Sequence, residues 1–169
     1  MVVAEKPVEI RALRESDLVA IGVIESASYE YPWSAGIFFD CLSVGYYCRV
    51  LDLQGQPAAY AVLSIGASEA HILNLTVSPE YRRQGLGRCL LLDLLAHART
   101  RSLHRIYLEV RHSNDAARVL YKAEGFELIG LRRQYYRSRH GREDALVFAL
   151  SLDESASSAS GTDPRARLV

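Results

Sequence analysis

The sequence predicts a mixed α/β fold, with a central sheet that is mostly antiparallel and helices on both of its faces. Three strand-like runs, over residues 46–53, 58–65 and 69–77, follow one another with only short turns between them, which is typical of an antiparallel meander. A leucine-rich helix then leads into a further strand, and such a crossover favours parallel pairing with the strand before it. With 169 residues, of which 49% are hydrophobic, the chain can build one domain with a substantial core.

The amino-terminal part is expected to begin with a strand and two helices. Residues 8–13 alternate apolar and polar side chains, which predicts a strand, and the polar run after them starts a helix. The turn at residues 29–34 breaks this helix, and Ser34 can cap a short second one. Tyr31 and Trp33 lie in that turn and serve either as a hydrophobic staple or as part of a substrate rim.

The carboxyl-terminal part alternates helices and strands. A helix is expected from about Gly85 to Thr100, followed by a strand over residues 104–110. Asn114 can cap the next helix, which Gly125 ends. Two last strands are expected over residues 126–131 and 144–150, with the intervening segment connecting them.

Composition and charge restrict the class of protein. We expect residues 1–152 to form a single domain and residues 153–169, rich in serine and alanine, to form a disordered tail. Twenty basic residues balance twenty acidic ones, so no net field favours nucleic acid or a membrane as a direct partner. The absence of a long apolar run and of a signal-like start predicts a soluble, cytoplasmic protein. A monomer or weak dimer is expected.

The cysteines and histidines do not predict a metal site. Cys41, Cys48 and Cys89 show no Cys-x-x-Cys spacing, and the five histidines form no i, i+4 pair. Neither a disulfide framework nor a metal is therefore expected. Cys89 is expected to be a core thiol of the leucine-rich helix.

The segment of residues 82–88, Arg-Arg-Gln-Gly-Leu-Gly-Arg, is the strongest functional signal. It lies between a strand and a helix, where glycines allow close approach to the backbone and the first helical N–H groups lack intrahelical acceptors. Such a turn can bind phosphate oxygens, or it can be a helix cap with solvated charges. The Walker loop is excluded because no Ser or Thr follows a Gly-Lys pair, and the dinucleotide fingerprint is excluded because Leu90 stands where a third Gly or Ala is needed.

The loop resembles the acetyl-CoA pyrophosphate loop of the GNAT N-acetyltransferases. That resemblance implies a sheet whose middle strands splay apart, with acetyl-CoA as co-substrate entering the splay. It also implies that the backbone of Leu75, Thr76 and Val77 contacts the pantetheine arm and polarises the thioester carbonyl. The remaining implied CoA contacts come from the pyrophosphate loop and from the following helix cap: Arg83, Gln84, Gly85, Leu86, Gly87, Arg88 and Asn114.

Two residues further along are candidates for proton transfer. Acyl transfer to an amine needs a base for the ammonium proton and an acid for the departing thiolate. Glu109 ends a strand and points away from the face shared by Ile106, Leu108 and Val110, which suits a cleft residue and equally a solvated carboxylate. Tyr121, on the next helix, is by itself more typical of a half-buried packing residue.

A longer stretch, from about Glu25 to Leu150, resembles the RimI group, bacterial enzymes that acetylate the N-terminal alanine of a small-subunit ribosomal protein. The matching segments include residues 32–34, 72–75, 108–111 and 132–136. The resemblance implies that Glu109 is the general base and Tyr121 the acid, with direct transfer and no acetyl-enzyme. It also implies that Tyr135 and Tyr136 grip the acceptor peptide opposite Tyr31 and Trp33, although such an aromatic pair can equally cover the core.

Several alternatives stay open. Tyr31 stands where RimI-like chains more often carry Phe, and Gln134 where Asn is expected, so acceptor preference can differ. A related acetyltransferase acting on lysine, a polyamine or an antibiotic is one alternative, although the basic segment of residues 132–142 disfavours a polycationic acceptor. A CoA-binding module without chemistry is the other, and the presence of Glu109 and Tyr121 argues against it.

Overall fold

The computed structural model describes residues 8–153. It contains seven strands and four helices. In chain order they are β1 (Val8–Ala12), α1 (Leu18–Ser28), α2 (Ala35–Ser43), β2 (Tyr47–Leu53), β3 (Gln56–Gly66), β4 (Glu69–Val77), α3 (Leu86–Thr100), β5 (Arg105–Arg111), α4 (Asp115–Ala123), β6 (Glu127–Ser138) and β7 (Gly141–Ser151). The tail predicted for residues 153–169 lies, apart from Asp153, outside the described residues.

One sheet contains all seven strands, in the order β1-β2-β3-β4-β5-β7-β6. Every neighbouring pair is antiparallel except β4 and β5, which the α3 crossover joins in parallel. This confirms the predicted mostly antiparallel sheet with one parallel pair. The β2–β3 hairpin turns through Gln54 and Gly55, both with positive φ, as a two-residue turn with matching twist requires.

Helices cover both faces of the sheet, as predicted. On one face, Leu90, Leu91 and Leu94 of α3 pack with Ala59 and Ala61 of β3. The residues that alternate with these on β3, Tyr60 and Val62, pack on the other face against Ile21 of α1 and Phe38 of α2. Because side chains alternate along a strand, neighbouring residues of β3 pack into two separate hydrophobic cores.

The predicted caps are confirmed. The Ile37 N–H donates to Ser34 Oγ at 3.3 Å at the start of α2, and the Ala117 N–H donates to Asn114 Oδ1 at 3.2 Å at the start of α4. Gly125, with a φ of +90°, ends α4 as a residue in the left-handed region does.

Two predictions about local structure are wrong. Residues 132–143 are not a separate connection, because β6 continues to Ser138 and pairs with β7 up to the tight turn before Gly141. The pairing register shifts between Arg132 and Tyr136, and this bulge obscures the strand alternation in the sequence. Cys89 is exposed and not a core thiol, because the buried stripe of α3 runs through Leu86, Leu90 and Leu94.

The sheet opens between its two middle strands. Pairing of β4 with β5 runs from Glu69–Arg105 to Ile72–Leu108 and then stops. Beyond this point the edge of β4 that faces β5 has no strand partner among the described residues, although its other edge stays paired with β3 as far as Val77. The opening leaves backbone groups available inside the fold, which determines where a ligand can bind.

Candidate active site

Two adjoining cavities open at the separation of β4 and β5. The larger has a volume of about 810 Å³ and the smaller about 200 Å³. Their walls have five residues in common, which are Tyr29, Leu75, Arg111, Asn114 and Ala117. A ligand in the larger cavity can therefore extend one end to meet a ligand in the smaller one.

The larger cavity contains the predicted anion-binding loop. Gly85 precedes α3 with a φ of +80°, and a Cβ built on it would meet nothing within 4 Å, so this side of the loop is open to a ligand. The first helical hydrogen bond of α3 runs from the Cys89 N–H to the Gly85 carbonyl at 3.1 Å. The N–H groups of residues 86–88 thus have no intrahelical acceptor, and the helix dipole favours an anion beside them.

The charge around the larger cavity is positive although the whole chain is neutral. Its walls include five arginines but only two glutamates. Arg82 donates to the Val77 carbonyl at 3.2 Å and to Ser28 Oγ at 3.1 Å, and Arg88 is paired with Glu124. Arg83 lines the cavity as predicted, whereas Gln84 is exposed and is not among the described residues of its wall.

The unpaired edge of β4 forms part of the same cavity. Leu75, Thr76 and Val77 all line it, as expected for the residues assigned to the pantetheine arm. The Thr76 side chain is already engaged, since its hydroxyl bonds Asn74 Oδ1 and the Tyr29 hydroxyl at 2.7 Å each. What these residues offer a ligand is therefore their backbone.

Glu109 lines the smaller cavity, and its carboxylate contacts two side chains, His71 and Arg132. His71 Nε2 is hydrogen bonded to Glu109 Oε2, and Arg132 Nε lies 3.2 Å from Oε1. The hydrogen bond from His71 lowers the pKa of the Glu109 carboxyl below its ordinary value of 4.5, against the opposing effect of burial, and Arg132 adds to the lowering. Glu109 is therefore a carboxylate at neutral pH, half-buried and with a fixed orientation.

Tyr121 lines the smaller cavity from α4 and is buried. Its ring packs between Phe126 and Phe148, with centroid separations of 5.7 and 6.5 Å. Burial raises the pKa of its phenol above the ordinary value of 10.0, and the nearby hydroxyls of Tyr29 and Tyr136 act in the same direction. The phenol thus keeps its proton across the neutral range, as a proton donor requires.

Three of the four predicted acceptor-side aromatic residues lie around the smaller cavity. Tyr31, Trp33 and Tyr136 are part of its wall. Tyr135 lies outside it, edge-on to the Tyr136 ring at 5.0 Å, with the Arg132 guanidinium 5.6 Å from its own centroid. Tyr136 in turn carries the Arg111 guanidinium over its ring at 4.5 Å.

Sequence reasoning missed several residues of this site. Glu25, which is 1% exposed, accepts hydrogen bonds from the Trp33 N–H at 2.8 Å and from the Tyr60 hydroxyl. His71 and Arg132 contact Glu109 directly. The sequence contained a usable signal only for His71, which alternates with the buried apolar residues of β4. The contacts of Glu25 and Arg132 depend on how separate elements pack.

The described residues give two negative findings. They contain no cluster of three or more histidine, cysteine, aspartate or glutamate side chains arranged to hold a metal ion. Within the same range, every helix is too short or too polar to cross a lipid bilayer.

Comparison with known proteins gives consistent matches. The chain matches the acetyltransferase (GNAT) family over residues 10–126. It is 39% identical over 143 residues to the [ribosomal protein bS18]-alanine N-acetyltransferase of Escherichia coli K12, covering 85% of this chain and 97% of that one. The Salmonella typhimurium enzyme of the same name is 38% identical over equal shares. The crystal structure of the Escherichia coli ribosomal-protein-S18-alanine N-acetyltransferase superposes with a TM-score of 0.82 at 38% identity, covering 87% of this chain and 95% of that one.

Proposed function

Because the match over residues 10–126 shows that the chain belongs to the acetyltransferase (GNAT) family, we propose that it acetylates the N-terminal alanine of ribosomal protein bS18. The family assignment makes it an acetyl-CoA-dependent N-acetyltransferase. The acceptor is inferred from the relatives named above, whose activity is on that alanine. The observation that carries the proposal is the pair of adjoining cavities, one with a basic loop at a helix start and the other with the half-buried carboxylate of Glu109.

The larger cavity fits the shape and charge of acetyl-CoA. The N–H groups at the start of α3 and Arg83 suit the pyrophosphate, with Gly85 and Gly87 keeping side chains away from it. The free edge of β4 at residues 75–77 suits the amides of the pantetheine arm, which alternate donors and acceptors as a strand does. Asn114 uses Oδ1 for its cap, which leaves its amide N–H groups for a ligand.

Acetyl-CoA supplies an activated thioester, and the protein supplies proton transfer and orientation. An amine must lose a proton before it can attack a carbonyl. Two carboxylates line the smaller cavity, which we call the acceptor cavity; Glu25 is engaged with the Trp33 N–H and the Tyr60 hydroxyl, so we assign Glu109 as the base. Backbone N–H groups of β4 near Leu75 suit the carbonyl oxygen as it becomes negative. Tyr121 keeps its proton at neutral pH and is the donor we assign to the departing thiolate.

Direct transfer is supported by the composition of the acceptor cavity. Its wall includes neither cysteine nor serine among the described residues, so it holds no side chain of the usual nucleophilic kinds that could carry the acetyl group. The buried thiols of Cys41 and Cys48 belong to the core on the α1 and α2 face instead. We therefore assign a single displacement of CoA by the acceptor amine.

The acceptor cavity suits the end of a peptide with a small first residue. Its volume of about 200 Å³ accommodates an alanine with its amine, and Tyr31, Trp33 and Tyr136 enclose it. Peptide gripping by Tyr135 and Tyr136 requires Tyr135 to act from the rim of the cavity, with its ring edge-on to that of Tyr136. Selectivity for alanine over larger residues then follows from the space available.

The test is mass gain by short peptides with acetyl-CoA. The panel compares the ribosomal Ala-starting sequence with Ser-, Met- and Gly-starting versions, a lysine peptide with a blocked N-terminus, and spermidine. We expect one acetyl group on the free N-terminus, fastest for alanine. Gain only on lysine or spermidine would contradict the acceptor assignment, and CoA binding without gain on any acceptor would contradict the enzyme.

A further inference from the structure

The carboxylate of Glu109 has two oxygens with different surroundings. Oε2 bonds His71, a residue of β4, whereas Oε1 faces Arg132, a residue of β6. The Glu109 side chain is 10% exposed, the His71 side chain 37% and the Arg132 side chain 55%. Oε2 therefore lies against the sheet, whereas Oε1 is contacted by an arginine side chain that extends from the solvent-exposed surface.

His71 is placed on Glu109 by the strand pairing itself. His71 is the register partner of Tyr107 on β5, so it shares a face with Tyr107 and with Glu109 two positions further on. The pair lies at the last rungs of the β4–β5 ladder, which ends at Ile72 and Leu108. His71 thus ties the base to the paired part of the sheet, immediately before the strands separate.

Arg132 holds Oε1 of Glu109 less firmly than His71 holds Oε2. It belongs to the bulged part of the edge strand β6, where pairing with β7 is interrupted between Arg132 and Tyr136. Its guanidinium also lies 5.6 Å from the Tyr135 ring centroid, which gives it a second contact outside the pair. An exposed arginine of this kind gains little from an ion pair and can exchange for another cation.

We propose that His71 is a positioning residue of the active site, which holds Oε2 of Glu109 so that Oε1 is presented to the acceptor ammonium in place of Arg132. This inference rests on the proposed function, since it assigns the working oxygen of the base. The ammonium has the positive charge and the N–H donors of an arginine side chain, so it can take the place of Arg132 at Oε1. A proton then passes from the ammonium to Oε1, which leaves the neutral amine beside the thioester.

His71 also keeps the base ionised. Its hydrogen bond is the largest cause that lowers the pKa of Glu109, and burial alone would raise it. The other titratable or charged groups that neighbour the pair are on β5, on β6, and on α1 with its following loop: Tyr107, Arg111, Arg132, Tyr136, Glu25, Tyr29 and Tyr31. Among the described residues, Arg132 is the other side chain that contacts the Glu109 carboxylate, and it is the one that the acceptor displaces.

The test compares three variants over a range from about pH 3.5 to pH 9, which extends below the ordinary pKa of a glutamate carboxyl and includes those of imidazole and an α-amino group. His71→Leu removes the donor, and His71→Gln keeps an N–H donor in a side chain of similar reach. His104→Gln is the matched control, because His104 precedes β5 and bonds Asp153 at 2.9 Å, away from both cavities. Turnover is measured with saturating acetyl-CoA and the acceptor that the wild type uses best.

We expect the acidic limb of the kcat profile to move to higher pH by about one pH unit in His71→Leu, as loss of a charge-assisted hydrogen bond predicts. Below that limb kcat falls roughly tenfold relative to wild type, while the KM for acetyl-CoA is unchanged. His71→Gln restores most of the loss. An unmoved limb in His71→Leu, or an equal loss at every pH, would show that His71 has no such role.

A second measurement does not depend on the acceptor. The Glu109 carboxyl is titrated by carbon-13 NMR in the free enzyme, and we expect its midpoint to rise in His71→Leu and to stay near the wild-type value in His71→Gln. An unchanged midpoint in His71→Leu would overturn the inference. A shifted midpoint in a protein that acetylates no N-terminus would leave the role of His71 standing and contradict the proposed function alone.

Discussion

Glu25 provides the most direct test of how the acceptor side of the site is held together. Its buried carboxylate accepts from the Trp33 N–H at 2.8 Å and from the Tyr60 hydroxyl, and Asn74 Nδ2 lies 3.4 Å from Oε2. These contacts join α1 to the turn that carries Trp33 and to the middle of the sheet. Replacing Glu25 by alanine leaves the buried Tyr60 hydroxyl and the half-buried Trp33 N–H without their acceptor.

The expected cost follows from those two donors, of which the fully buried Tyr60 hydroxyl contributes the larger part. A buried donor left unpaired costs about 1–3 kcal/mol, so Glu25→Ala should lower the free energy of unfolding by about 2–6 kcal/mol. Glu25→Gln keeps the volume and one acceptor oxygen, and the Tyr60 hydroxyl can turn to accept from the new amide, so we expect a loss near 1 kcal/mol. Glu15→Ala, at an exposed position before α1, is the control and should stay within about 0.5 kcal/mol of wild type.

The assay is urea unfolding followed by fluorescence. Trp33 is the only tryptophan of the chain and lies on the network, so its emission reports the local and the global transition together. For a domain of this size, the alanine variant should also lower Tm by about 2–4 °C for each kcal/mol lost. A Glu25→Ala protein within about 1 kcal/mol of wild type would refute the reasoning, because it would mean that the two donors find other partners at no cost.

Three further substitutions test other parts of the protein. Glu109→Gln should lower kcat by about 10²–10³ near neutral pH and less at high pH, where the amine is already neutral, without changing acetyl-CoA affinity measured by calorimetry. Because the pKa of Glu109 is below 4.5 in the folded state, its ion pairs stabilise the fold above that pH and are lost below it, so the same variant should show a smaller drop in stability on acidification. Gly85→Ala should cost about 1–2 kcal/mol and weaken CoA binding, since the φ of +80° strains a residue with a Cβ. Gln134→Asn should stabilise the protein by roughly 0.5 kcal/mol in thermal unfolding, because Gln134 has a φ of +50°, a region that asparagine adopts more readily.

Much of the fold was predictable because local chemistry and tertiary structure agree. Ser and Asn are favourable N-cap residues in any helix, as Ser34 and Asn114 are here. Short turns that contain glycine adopt only a few backbone conformations, which join neighbouring antiparallel strands. The parallel pairing of β4 and β5 followed from the helix between them. The boundary of β6 could not be predicted, since its bulge at residues 132–136 breaks the period on which strand prediction depends.

The sequence predicted the separate segments of the site but not the side-chain contacts between them. The phosphate loop is a contiguous segment, so its sequence contains most of the information about its shape. The contacts of Glu109 are not contiguous, because His71 and Arg132 come from strands on either side of it and depend on register. The positive φ of Gln134 accounts for the expectation of Asn at this position, and no local pattern in the sequence revealed that φ.

The central claim is that this enzyme acetylates an α-amine enclosed beside Glu109 and not a side-chain amine. The most direct test gives the wild-type enzyme a single peptide that starts with alanine and also carries an internal lysine. Fragmentation mass spectrometry then locates the acetyl group after one turnover per peptide. The account predicts that the fragment with the first residue carries it and that the lysine stays free; an acetyl group on the lysine, with a free N-terminus, would contradict the account.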